Sequence, residues 1–116
     1  MTTITPIPFT GSTNGRGILV TATATAGTLI HTAHASAEDI PLLYAVNNHT
    51  ADIIIHVEWG GTTDPGDTIP FKIPFDSGLY LITPPGLILT NSLVVRCFAA
   101  VASKVSIFGS VRRVVP

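Results

Sequence analysis

The residues best suited to chemistry sit together in "DIIIHVEWGG", residues 52–61, where His56 and Glu58 lie two apart and Trp59 closes the run. Side chains two apart on a strand share a face. An imidazole and a carboxylate placed that way could ligate a metal, move a proton or rim a sugar site, but each use needs further partners. A zinc centre takes four ligands, commonly spaced as H-E-x-x-H or C-x-x-C, and the sequence contains neither. His31 and His34 are three apart on an expected strand and so point to opposite faces. No metal ligand set is expected, and the plainer reading of His56 and Glu58 is a solvated strand face with a cross-strand hydrogen bond.

The acidic residues downstream lead to the same place. Asp64 and Asp67 bracket Pro65-Gly66, and Asp76 follows, whereas a calcium site draws six or more oxygens from a dense acidic loop. These aspartates read as turn residues. For catalysis there is no G-x-S-x-G elbow. Cys97, with Val95 and Leu93 on its face, reads as a buried, inert thiol. Glycosidase chemistry needs two carboxylates facing across a cleft, and Glu58 is one of only two glutamates. No catalytic residue and no cofactor are expected, and an enzyme is not. A sugar-binding sandwich would show aromatic platforms, but alternation sets Trp59 beside Ile55 and Val57, and Tyr44 beside Leu42 and Val46, on expected core faces.

The elements that hold these residues must fit in 116 residues, room for one domain. Charged residues make up 11 % and apolar ones 46 %, against about 25 % charged in an ordinary soluble domain. So few charges imply that Thr and Ser clothe part of the surface and that another protein covers the rest. A net charge of −1 from six scattered Lys and Arg argues against nucleic acid, which takes clustered cations. No window approaches the roughly 20 apolar residues of a membrane helix, and residues 1–15 show no signal-peptide pattern. A soluble protein made in a cytoplasm is expected, with Asn48-His49-Thr50 a turn rather than a glycosylation site.

Composition changes near residue 16. Residues 1–16 carry Pro6, Pro8 and three apolar side chains, Ile4, Ile7 and Phe9, and read as an extended N-terminal arm that tucks into the domain edge or lies on a neighbouring subunit. Residues 17–116 read as the domain. "GILVTATATA", "TLIHTAH", "EDIPLLYAVNN", "DIIIHVEW", "DTIPFKIPF", "GLYLIT", "NSLVVRCFAA" and "SKVSIFGSVRRVV" are short β-branched runs between turn signals. About eight antiparallel strands at this spacing predict an all-β protein, a single β-sandwich of jelly-roll or immunoglobulin-like form. Asp64-Pro65-Gly66-Asp67 fits a type II turn, and Pro84-Pro85-Gly86 repeats that chemistry. Pro70 and Pro74 would remove two ladder hydrogen bonds from a central strand, so their segment belongs at an edge, where another chain can attach.

These residues resemble small β-sandwich structural proteins of tailed bacteriophage virions, of the capsid decoration or cement type. The likeness runs through "PIPFTGSTNGRG", "TLIHTAH", "LLYAVNNHTADIIIHVEWGGTTDPGD" and "GLILTNSLVVRCFAAVASKVSIFGSVRRV": an Asn-rich turn, a strand ending in Trp-Gly, and a glycine-centred last strand. The resemblance implies a virion location after assembly in a host cytoplasm, a major capsid protein or other virion subunits as partners, and a homo-oligomer, with a trimer favoured at quasi-threefold positions. It implies subunit contacts by Ile4, Ile7 and Phe9 of the arm and by Pro70, Phe71, Pro74 and Phe75 of the edge segment. A carbohydrate- or receptor-binding sandwich of a tail or fibre, using loops 47–50 and 60–67, is the alternative, as is a neck or tail connector.

Overall fold

A computed structural model describes residues 2–82 and 87–116. Among them the chain is all β, with nine strands and no helix: β1 (Thr3–Ile7), β2 (Ile18–Leu19), β3 (Thr28–Thr32), β4 (Glu38–Asn47), β5 (Ile53–Trp59), β6 (Thr68–Ile73), β7 (Tyr80–Leu81), β8 (Val94–Ala99) and β9 (Val105–Val115). Each of the eight expected runs contains one of β2 to β9. β1 lies within the expected arm. The Thr/Ala-rich run after Gly17 keeps only two strand residues, because there the chain changes sheets. The Val20 amide bonds the Val105 carbonyl of one sheet, and the Ala22 carbonyl accepts from the Ala99 amide of the other.

The two sheets are antiparallel. One has the order β1-β9-β4-β7, with β2 also on β9, and the other is β3-β8-β5-β6. β1 and β2 lie on the same flank of β9, ending opposite Val111 and resuming opposite Ile107, so they act as one interrupted strand. Counted that way, β5 pairs β6, β4 pairs β7, β3 pairs β8 and β1/β2 pairs β9. The chain is one long hairpin, bent at residues 60–67 and rolled so that alternate rungs fall in opposite sheets. This is the jelly-roll form of the β-sandwich, not the immunoglobulin-like one.

The core lies between the sheets. Ile30, Ile53, Ile55, Val57, Ile73, Val95 and Cys97 come from one side, and Leu43, Ala45, Ile107 and Val111 from the other. Full burial of each large aliphatic side chain contributes about 1.5–3 kcal/mol. Ile53, Ile55 and Val57 point inward as the alternation requires, with Trp59 half-buried at the end of that row. The expected phase of β4 is corrected: Pro41, Leu43, Ala45 and Asn47 face the core, and Leu42, Tyr44 and Val46 face outward, half-buried. Tyr44 is stable there because Phe108 and Leu81 stand directly opposite it on the two neighbouring strands, forming an apolar row across the outer face. Leu93, expected beside Cys97, is exposed because it precedes β8.

The interruption between β1 and β2 lets Phe9 drop into the core, where it is 3 % exposed. It sits over Gly109, whose φ of 144° is costly for any residue with a side chain. A Cβ at Gly109 would collide with the Leu42 carbonyl and lie 3.1 Å from Phe9 Cζ. Residues 64–67 do turn the chain, but not as type II: the Asp64–Pro65 bond is cis, and Gly66 does not adopt the left-handed backbone. The loop is closed instead by the Asp67 amide donating to the Thr63 carbonyl at 2.8 Å, with Gly60 supplying the positive φ of 81°. The turn expected at Pro84-Pro85-Gly86 lies outside the described residues.

Candidate functional site

His56 and Glu58 do share the outer face of β5, but at Glu58 that face is covered rather than solvated. The chain between β2 and β3 crosses over it and brings Thr25 and Gly27 to the Glu58 carboxylate. Thr25 Oγ1 donates to Oε2, and the Gly27 amide donates to Oε1 at 2.7 Å. Glu58 is 1 % exposed. Gly27 can approach because it has no side chain; a Cβ there would fall 2.6 Å from the Cys97 carbonyl carbon. Arg96, opposite Glu58 on β8, turns to the Gly27 carbonyl at 3.2 Å and so pins the same crossing. His56 stacks on Phe98, with ring centroids 4.8 Å apart and planes within 14°.

Beside Glu58 lies a depression of about 210 Å³, lined by Thr23, Ala24, Thr25, Glu58, Thr62, Asp64, Thr68 and Phe98. The structure thus brings Glu58 together with Thr62 and Asp64 of the 60–67 loop. Asp67 is not in this lining; its carboxylate accepts from the Thr63 amide at 3.2 Å and holds the turn. Residues 47–50 precede β5 while 60–67 follow it, so the two loops stand at opposite ends of that seven-residue strand. Asn47 is engaged internally, donating to the carbonyls of Ala51 and Ile73 and accepting from the His49 amide. Among the described residues no group of three His, Cys, Asp or Glu is placed to hold a metal ion.

A second polar cluster went unanticipated. Asp39 is fully buried and accepts a bidentate pair from Arg113, with Nε on Oδ1 at 2.8 Å and a terminal guanidinium nitrogen on Oδ2 at 3.0 Å. The His34 amide also donates to Oδ2, at 3.2 Å. His31 reaches the cluster because a β-bulge at Ile30 turns both Ile30 and His31 inward. Its Nδ1 accepts from the Thr10 amide at 3.2 Å, so Nε2 carries the proton donated to Asp39 at 2.7 Å. Burial pushes the Asp39 carboxyl up, but the hydrogen bonds from Arg113, His31 and the His34 amide outweigh it and hold the pKa at about 2. Burial, with the Arg113 charge adding to it, pushes the His31 imidazole down against the pull of Asp39, so that its pKa lies below the ordinary value. The cluster ties β3, β4, β9 and the segment after β1 together. It reads as a clasp.

Cys97 is buried, as expected, and its thiol is pushed up to about 12 by burial, with the Glu58 charge adding to the effect. Thiolate chemistry is closed to it.

Comparisons with family models, curated proteins and solved structures find no match to this chain.

The residues expected to touch other subunits divide into two groups. Phe9 belongs to the chain's own core, and Ile7 and Phe71 pack half-buried against that core. Ile4, Pro70 and Phe75 are exposed, Ile4 at 62 % and Phe75 at 48 %, and Pro74 is half-buried. The Pro70 segment, β6, is indeed an edge strand. Not foreseen was the apolar border on the opposite sheet. Leu79, Tyr80, Leu81, Leu87 and Ile88 are all exposed around β7, and the signal available was a run from Ser77 to Val95 without one charged residue.

Proposed function

We propose that this chain is a non-enzymatic virion structural protein, a decoration or cement subunit that stabilises a capsid shell by bridging the major capsid protein or other virion subunits. The observation that carries the reading is the apolar outer surface. Ile4, Leu19, Ile54, Phe75, Leu79 and Ile88 are each between 47 and 62 % exposed on a chain whose charged content is 11 %. Many large apolar side chains left to solvent on so weakly charged a chain favour contact with other proteins. Its mechanism is additive. Each copy buries part of that surface against its neighbours, and many copies sum a modest free energy into a closed shell. The jelly roll is an architecture found in viral capsid domains and equally in lectins, so fold alone supports both this reading and the next.

Purified native particles test the proposal through the ratio of this chain to the main shell protein. A ratio near one per shell subunit, or per symmetric group of them, is expected. A few copies per particle would place the chain in a neck, tail or fibre, and its absence from particles would overturn the reading. A truncation meant to remove contacts should stop before Phe9 and Thr10, because these belong to the core and the clasp. Deleting residues 2–6 is expected to leave a folded domain and weaken attachment.

One observation favours a second reading, a carbohydrate- or receptor-binding module. The depression beside Glu58 combines a carboxylate, threonine hydroxyls, Asp64 and the Phe98 ring, groups that suit a sugar. Saturable glycan binding abolished by Asp64→Ala, with Asp67→Asn weakening it only through the turn, would establish this reading in place of the first.

A further inference from the structure

β3 is an edge strand, and residues 9–12, between β1 and β2, lie across its edge. Phe9 inserts into the core. The Thr32 amide donates to Thr10 Oγ1 at 2.7 Å, and the Gly11 amide donates to the Ile30 carbonyl at 2.9 Å. Gly11 approaches so closely that a Cβ there would fall 2.4 Å from the Leu29 carbonyl oxygen. Ser12 then turns back, its amide and hydroxyl both donating to the Phe9 carbonyl, at 3.0 and 2.7 Å. Residues 13–17 beyond it are exposed, and Asn14 and Gly15 bend the chain with φ of 53° and 85°. A covering segment of this kind keeps a strand edge from pairing with other chains.

The remaining bond of this segment can titrate. The Thr10 amide donates to His31 Nδ1 at 3.2 Å, a bond that exists only while the imidazole is neutral, because a protonated ring has two N–H donors and no acceptor. Nε2 already gives its proton to Asp39 at 2.7 Å. The charged groups facing His31 are Asp39 from β4 and Arg113 from β9. β8 brings Val95 alongside, and the covering segment brings the Phe9 ring, 6.1 Å away between centroids. His34, beyond Asp39, keeps its own Nδ1 for the amides of Ser36 and Ala37, at 3.0 and 2.9 Å. Asp39 is already engaged by Arg113 in a bidentate pair, so a charged His31 would leave a net positive charge in a site with no exposure.

We infer that residues 9–12 are an acid-released strap: a proton on His31 Nδ1 evicts the Thr10 amide, lifts Phe9–Ser12 from β3 and uncovers that strand edge. Release admits water to the new imidazolium and to the Thr10 amide, which relieves both the buried charge and the clash of two donors. It also frees the Ile30 carbonyl and the Thr32 amide, the groups through which a further strand could pair. Histidine is the side chain suited to such a switch near neutral pH. The device is a property of this fold and does not depend on which partner the chain meets.

Amide hydrogen exchange of the full chain, corrected for the intrinsic effect of pH, tests it. Protection of the Gly11 amide is expected to fall about tenfold between pH 7.5 and 5.5, while the Trp59 amide, bonded to the Asp67 carbonyl at the far end of the other sheet, keeps its protection. His31→Asn sets a carbonyl oxygen near the place of Nδ1 that cannot take the proton, and is expected to abolish the fall; His34→Asn is expected to leave it. Should H31N not fold, the imidazole signals of His31 in the wild-type chain decide: its titration and the loss at Gly11 must coincide. A Gly11 amide that stays protected while His31 takes up its proton, that loses protection only together with Trp59, or that behaves identically in H31N would each overturn the inference.

Discussion

Asp39 and Glu58 are both buried carboxylates, on β4 and β5, and they are held in opposite ways. Asp39 sits between the sheets and meets a guanidinium in a bidentate pair, with a neutral imidazole completing its shell. Glu58 lies on the outer face under the β2–β3 crossing and meets only a hydroxyl and a backbone amide. The first arrangement compensates charge with charge. The second leaves a depression beside the carboxylate. A buried acid is therefore no guide to function by itself; whether a cation already answers it, and whether space adjoins it, decide what it can do.

The largest way to break this contrast is to remove the guanidinium. Arg113→Met leaves Asp39 buried without its cation, and breaking such a pair costs about 3–5 kcal/mol, to be read from the urea midpoint at neutral pH. Asp39 offers a second route through pH. Its pKa of about 2 lies below the unfolded value of 3.8, so the stability it contributes is present above pH 3.8 and is lost as pH falls through about 2, amounting to about 2 kcal/mol. His31 acts in the same direction at higher pH. Its folded pKa lies below 6.5, the unfolded chain takes up protons first, and stability begins to fall as pH drops below 6.5. Acid titration of wild type and R113M together should show the Asp39 contribution shrink in the variant.

Smaller effects belong to Glu58. Thr25→Val removes one donor and leaves Oε2 unanswered, a loss of about 1–3 kcal/mol measurable by thermal denaturation. Glu58→Gln keeps the shape and an acceptor for Gly27 and is expected to cost about 1 kcal/mol, less than R113M. A larger loss for E58Q than for R113M would erase the distinction between the two sites. Smallest of all, Ile54→Lys on the exposed stretch of β5 should change stability by no more than about 0.5 kcal/mol.

Much of the architecture was legible because it depends on period and punctuation. β5 declares itself by alternation, β6 shows its edge position through Pro70, and all eight runs from β2 to β9 hold strands. The phase of β4 is not legible because Tyr44 reads as a core anchor, yet Phe108 and Leu81 flank it on the outer face, which only the strand order shows. The clasp did leave a trace. Once Leu43 and Ala45 set the inward face of β4, Asp39 falls in the same register, and Arg113 falls in register with Ile107 and Val111 on β9. A charge at a core position on each of two strands calls for a partner, and here they stand directly opposite. Glu58 gave no such sign, since a loop distant in sequence buries it. His31 was hidden by the bulge at Ile30.

The proposed function requires the apolar outer surface around β7 to be covered by other protein in the assembled state. Amide hydrogen exchange at Leu81, followed in the dilute chain and in the associated state, tests that claim most directly. Exchange should be fast in the dilute chain and slow markedly on association, while the already bonded Ile82 amide changes little. A Leu81 amide that exchanges at the same rate in the dilute chain and in every associated form would contradict it.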